Sequence, residues 1–162
     1  MRIGRVVPPW PLRSTHLRLT LFFLLTASWS CAPVRLIADY DATTYEETIR
    51  VAKRVDVFYG KVLELEAKDR LYAPFAPDYV DIGADLRSLV QRNASRALNS
   101  ESRRISQIIV DFWEQYQAKH KANNAYADAS LDRRRFTRLF EAALSAERAK
   151  QLASEDKQPS PF

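Results

Sequence analysis

FAPDYVDIGADLRSLVQRN, residues 75–93, is the stretch that decides the fold. Phe75, Tyr79, Ile82, Leu86, Leu89 and Asn93 recur at alternating steps of four and three, which lines them up on one face of an α-helix. Asp78, Asp81 and Asp85 crowd its first half, and Arg87, Arg92 and Arg96 follow. That order suits the positive N-terminal and negative C-terminal ends of a helix dipole. Pro74 and Pro77 open the segment, where a missing N–H had no partner to lose. A helix with one apolar stripe has to bury it, so its partners must lie elsewhere in the chain.

Upstream, Asp41, Thr43 and Thr44 are good N-caps, and Thr43 with Glu46 and Thr44 with Glu47 both fit a capping box. Ile49, Ala52, Val55, Phe58 and Tyr59, Val62 and Leu65 predict a first helix running to Ala67 or Asp69. Lys68 to Ala73 reads as the loop before the second. Downstream, Asn99 is suited to closing that helix in the left-handed conformation, and Ser100 to capping the next. Ile105, Ile108, Ile109, Phe112, Trp113 and Tyr116 predict a third helix ending near Asn123-Asn124. A fourth, capped at Asp128 to Ser130, carries Leu131, Phe136, Leu139, Phe140, Ala143 and Leu144 and fades by Lys150. Residues 151–162, with Pro159 and Pro161, read as a disordered tail. The expected fold is all-α: an antiparallel bundle of about four helices, over residues 42–150. Two glycines, Gly60 and Gly83, flank the first loop almost symmetrically, which suggests that they pair where the first two helices meet.

Residues 1–30 have a different character. Arg2, Arg5, Arg13 and Arg18 precede an apolar run from Leu19 to Ala27, and no Asp or Glu occurs there. The run has the length of a signal-peptide core, roughly half of what a bilayer-spanning helix needs. Ala27, Ser28, Trp29 and Ser30 follow, and then Cys31, the only cysteine. A lone thiol is an awkward possession in an oxidising compartment, and lipid attachment would give it a use. Ser28 and Ser30 also satisfy the small-x-small spacing of an ordinary secretory cleavage, so soluble export is the competing reading.

This leader resembles a bacterial lipoprotein signal, in which an apolar run ends in a short box of small residues and a cysteine. Ser30 matches that box; Ser28 and Trp29 depart from its usual Leu and small residue. The resemblance implies cleavage before Cys31, a lipid anchor on it, and residues 31–41 as a stalk. In the Gram-negative pattern an Asp after the cysteine retains the protein at the inner membrane, so Ala32 implies an outer-membrane protein facing the periplasm. The stretch Leu36-Ile37-x-x-Tyr40-Asp41 also resembles a set of small uncharacterised bacterial lipoproteins. Leu36, Ile37 and Tyr40 are expected to dock on the bundle.

Composition has to be corrected for the leader. The first 30 residues hold four of the 25 Lys+Arg and none of the 20 Asp+Glu, which leaves 21 against 20, a net charge of +1. A near-neutral chain of interleaved signs offers no electrostatic case for nucleic acid. His120 is the only histidine after Cys31, so His/Cys metal sets and Cys-His nucleophile pairs have no residues to use, and a cofactor is not expected. His120 itself reads as a charge favouring a helix C-terminus. A site built from carboxylates alone stays open. Arg133, Arg134, Arg135 and Arg138 form the densest basic cluster, a candidate contact for anionic headgroups or a cell-wall polyanion. The competing reading is a solvated helix face paired with Asp132 and Glu141. The functional expectation is a non-catalytic envelope lipoprotein, an interaction or structural module tethered to the membrane through Cys31, with an envelope protein as partner and no small-molecule substrate. The alternative is a periplasmic ligand-binding bundle with a pocket lined by Phe112, Trp113 and Tyr116.

Overall fold

The structure, a computed structural model, describes residues 36–123 and 126–155. Leu36–Phe162 forms one compact unit; the other, Met1–Arg35, lies outside the described residues and takes the signal, Cys31 and most of the stalk with it. Helix α1 (Ala42–Leu63) starts on Asp41, an N-cap in extended conformation. Its carboxylate accepts from the Thr44 hydroxyl at 2.5 Å and the Thr43 N–H at 3.1 Å. The Thr44 bond, above all, holds the carboxyl below its usual pKa. Glu47 pairs with Arg50 rather than reaching back to complete a capping box.

The expected end at Ala67 or Asp69 is overturned: α1 stops at Leu63. The Leu65 N–H tightens onto the Val62 carbonyl, and the chain breaks into a 3-10 turn, Ala67–Asp69. Arg70 makes the break tolerable. Its Nε donates to the Leu65 carbonyl at 2.9 Å, and its Nη1 to the Tyr126 carbonyl at 3.0 Å. A second 3-10 turn, Ala73–Phe75, leads into α2 (Ala76–Ala94), with Pro77 in its first turn. Then come α3 (Ser100–Asn123) and α4 (Ala129–Glu155). Between α2 and α3 the left-handed residue is Leu98, at φ 59°, not the expected Asn99, whose side chain is buried and used for hydrogen bonds.

Helix α4 continues past Lys150, so the expected tail does not begin at 151. Gln151 donates to Glu155 at 3.1 Å within that last stretch. Residues 156–162 lie outside the described residues.

Helix α1 packs on α2 and α4, and α3 packs on the same two. Each neighbouring pair is antiparallel, as its cross-links show. Arg54–Asp85 and Lys61–Asp78 join α1 to α2. Asn93–Ser106 and Tyr79–His120 join α2 to α3, and Ser102–Glu147 and Tyr116–Arg135 join α3 to α4. In every pair one partner advances along its helix as the other retreats. The described residues therefore form an up-down-up-down four-helix bundle.

All six residues of the 75–93 stripe are buried. Phe75, Tyr79, Ile82 and Leu86 share one core cluster with Val51, Val55, Phe58 and Val62 of α1, Ile109, Trp113 and Tyr116 of α3, and Phe136 and Phe140 of α4. The core is ring-rich. Phe58 meets Tyr59, Phe75, Tyr79 and Trp113 edge-on, with centroids 4.7–5.8 Å apart. Ile49, Leu65 and Leu131, expected on core stripes, are exposed. The α1 stripe is led instead by Thr44 and Thr48, and the Thr48 hydroxyl is satisfied by the Thr44 carbonyl at 2.8 Å.

Two further expectations fail. Leu36 and Ile37 do not dock; Ala38 does, buried and donating its N–H to the Leu98 carbonyl at 3.0 Å. Only Tyr40 of the three is half-buried. The glycines do not pair either. The Arg54–Asp85 and Lys61–Asp78 bridges set a register that brings Gly60 opposite Tyr79, about one turn from Gly83. A Cβ at Gly83 would meet Arg87 and then Trp113 of α3, while one at Gly60 would meet nothing within 4 Å.

Candidate functional site

The arginine cluster of α4 comes apart in three dimensions. Arg133 crosses to α1 and grips Asp56 with two bonds, Nε at 2.7 Å and Nη2 at 3.0 Å. Arg135 turns the other way, donating to the Tyr116 hydroxyl at 2.9 Å and to Asp132 at 3.1 Å, with its guanidinium 5.9 Å from the Tyr116 ring centre. Arg134 and Arg138 are exposed. Asp132 is thus a true partner, and Asp56, from another helix, is one that the local sequence did not reveal. Side chains that leave a helix in different directions to bind different neighbours do not make a single anion-binding patch.

The expected aromatic box is core. Trp113 is buried, with its indole N–H on the Tyr79 carbonyl at 3.1 Å, and Tyr116 is buried beneath Arg135. A shallow cleft of about 350 Å³ does exist, between α1 and α4. Val55, Tyr59, Phe136 and Phe140 form its floor, and Lys53, Asp56, Arg133 and Glu141 edge it. Phe112, Trp113 and Tyr116 take no part in it.

Two polar networks are buried in the bundle. The first joins α1, α4 and the loop that precedes α4. The Tyr126 hydroxyl donates to Asp132 at 2.9 Å, which commits its proton, so Tyr59 donates to Tyr126 at 3.1 Å. Burial pushes the Asp132 carboxyl up and both phenols well up, because each charged form is poorly solvated there. Beside it, His120 is buried, not an exposed charge as its position near the end of α3 suggested. Its Nε2 lies 2.8 Å from the Arg70 carbonyl, which can only accept, so Nε2 carries the proton. Its Nδ1 then accepts from the Tyr79 hydroxyl at 3.1 Å. Burial, opposed by the Arg70 bond, lowers the His120 pKa and keeps the ring neutral.

The second network lies at the other end of the bundle. Lys150 donates to Glu147, to Asn99 at 2.5 Å and to the Ser102 hydroxyl at 2.7 Å. Ser102 donates to Glu147 at 2.9 Å, and Arg96 faces the second Glu147 oxygen at 3.5 Å. Arg96 also donates to the Asp39 carbonyl, which ties the stalk to this network. Most polar atoms of each network bond within it; Arg96 Nη1 and Glu147 Oε2, buried and facing each other at 3.5 Å, are paired by charge without a hydrogen bond.

Sequence reading missed Arg70, Asp132, Arg96, Glu147 and Lys150 as buried or bridging groups. A signal was there. Phe136, Phe140, Ala143, Glu147 and Lys150 keep the same four-three rhythm, as do Ser102, Ser106, Ile109, Trp113, Tyr116 and His120. Among the described residues no group of His, Cys, Asp and Glu is arranged to hold a metal ion, and no helix is long and apolar enough to cross a membrane. No protein-family model, curated protein or solved structure matches the chain.

Proposed function

We propose that the protein is a non-catalytic lipoprotein of the bacterial cell envelope: a helical interaction or structural module held at a membrane by lipid on Cys31, on the periplasmic face of the outer membrane. The observation that carries this reading is the acid-free basic leader whose apolar run ends at the sole cysteine, just ahead of the point where the bundle takes hold of the chain at Ala38. Its partners are the bilayer and an envelope protein. The interior supports a scaffold role, since its buried polar groups are hydrogen-bonded or charge-paired with one another.

The test is Cys31→Ser in the full chain. Two or more acyl chains, at about 0.8 kcal/mol per buried methylene, hold a protein stably, whereas one holds it only marginally. The Ser variant should leave the membrane fraction or accumulate unprocessed, and mass spectrometry of the wild-type N-terminus should find acylated Cys31. Identical processing and fractionation of both proteins would sink the reading.

A second reading rests on the α1–α4 cleft, which is of a size to hold a small apolar ligand against Tyr59, Phe136 and Phe140. Saturable binding of a fluorescent apolar probe, lost in Phe140→Glu, would favour it.

A further inference from the structure

The described chain begins on a face that is oddly dressed for water. Leu36 and Ile37 are 81% and 45% exposed, and Leu98, to which Ala38 is hydrogen-bonded, is 54% exposed. Three large apolar side chains therefore share one end of the bundle, the end where the chain arrives. Leu98 is held there in the left-handed region, which L-residues with a Cβ avoid, and it is the only described residue other than glycine so held. A glycine or asparagine would relieve the backbone, yet the position presents a leucine outward. Arg103 and Arg104, in the first turns of α3, are exposed at the same end and pair with no carboxylate among the described residues. Glu101 is exposed nearby, so the face is apolar with charges of both signs rather than a basic patch.

Reach is the second argument. Cys31 stands seven residues before Ala38, and seven residues of fully extended chain span at most about 25 Å. Ala38 is fixed to the bundle by its own hydrogen bond, and Arg96 holds the Asp39 carbonyl beside it. A lipid on Cys31 therefore confines this end, and no other, close to the bilayer surface. So short a tether gives a high effective concentration, at which even a weak apolar contact is populated.

We propose that the stalk end of the bundle, through Leu36, Ile37 and Leu98, seats on the lipid surface to which Cys31 is anchored, with Arg103 and Arg104 at headgroup level. This rests on the lipoprotein reading above. The bundle then stands end-on, with the cleft between α1 and α4 opening on its flank.

The test uses the full processed chain in vesicles of phosphatidylethanolamine and phosphatidylglycerol. With Cys31 acylated, Leu98→Cys, Ile37→Cys and Val80→Cys each offer one thiol for an environment-sensitive fluorophore. Val80 is exposed and lies toward the far end of α2. Nitroxide-bearing lipid should quench the label at positions 98 and 37 several-fold more than at 80. Equal quenching at the three positions, with the wild-type thiol blocked, overturns the seating and leaves the anchor standing. Self-quenching at 98 that grows with protein density, without quenching by lipid, also overturns it and gives the face to a second copy. Labelling of wild type at Cys31 overturns both the seating and the lipoprotein reading. The position 37 variant, outside any helix, keeps the test valid if the one at 98 disturbs the turn.

Discussion

His120 donates from one ring nitrogen and accepts at the other, so only the neutral ring satisfies its site. Its folded pKa lies below the ordinary 6.5, chiefly through burial. The unfolded chain therefore takes up the proton first as pH falls. The stability contributed is fully present above about pH 6.5 and declines below it until the folded group titrates too. We expect the urea midpoint to fall as pH drops from 8 toward 5, and His120→Gln to flatten that slope. An unchanged slope would mean that His120 is not the group responsible. Asp132, whose folded pKa is raised by burial, acts with the opposite sign as pH rises above 3.8. The glycines make a second test. Gly60→Ala should stabilise by about 0.4–1 kcal/mol, since its Cβ meets open space. Gly83→Ala should sit near wild type, because the flexible Arg87 tip, at 3.2 Å, can yield. Gly83→Leu should destabilise by about 1–3 kcal/mol, because the longer side chain runs into the Trp113 indole.

At the scale of the helices, α2 and α4 solve the same packing problem with different residues. The α2 stripe is apolar except for Asn93, and Leu86→Ala should cost about 2–5 kcal/mol in denaturant unfolding. A cost under about 0.5 kcal/mol would place Leu86 at the surface. The α4 stripe ends in Glu147 and Lys150, both buried. Removing one member of a buried pair strands the other, so Glu147→Ala should cost about 3–5 kcal/mol. Adding Lys150→Met should recover part of that loss, because the stranded charge goes with it. No recovery would show that Arg96, rather than Lys150, is the partner that matters.

For the whole molecule, the proposed cleavage before Cys31 would leave Trp113 as the only tryptophan, since Trp10 and Trp29 precede it. The mature protein should then emit from a single buried indole, blue-shifted when folded and moving red in one transition on unfolding. Emission that is already red in the folded mature protein would contradict the closed core around Phe58, Tyr79 and Trp113.

The sequence by itself determined the all-α class, the helix count and the register of α2, because a four-three stripe repeats within each helix and requires no knowledge of its neighbours. It also carried the leader and Cys31, which are local patterns. What it hid were the stripe positions held by Thr44, Thr48, Ser102, Ser106, His120, Glu147 and Lys150. Thr44 and Thr48 are satisfied within α1 and its cap, and the others look solvated until the tertiary structure supplies partners from other helices or from the loop at Arg70. Only the fold could separate Arg133 from Arg135, since Asp56 and Tyr116 reach them from different helices. Only the fold could expose Leu36 and Leu98 and bury Ala38. Periodicity is a property of one helix, whereas the satisfaction of a buried polar group depends on which helices meet and at what height.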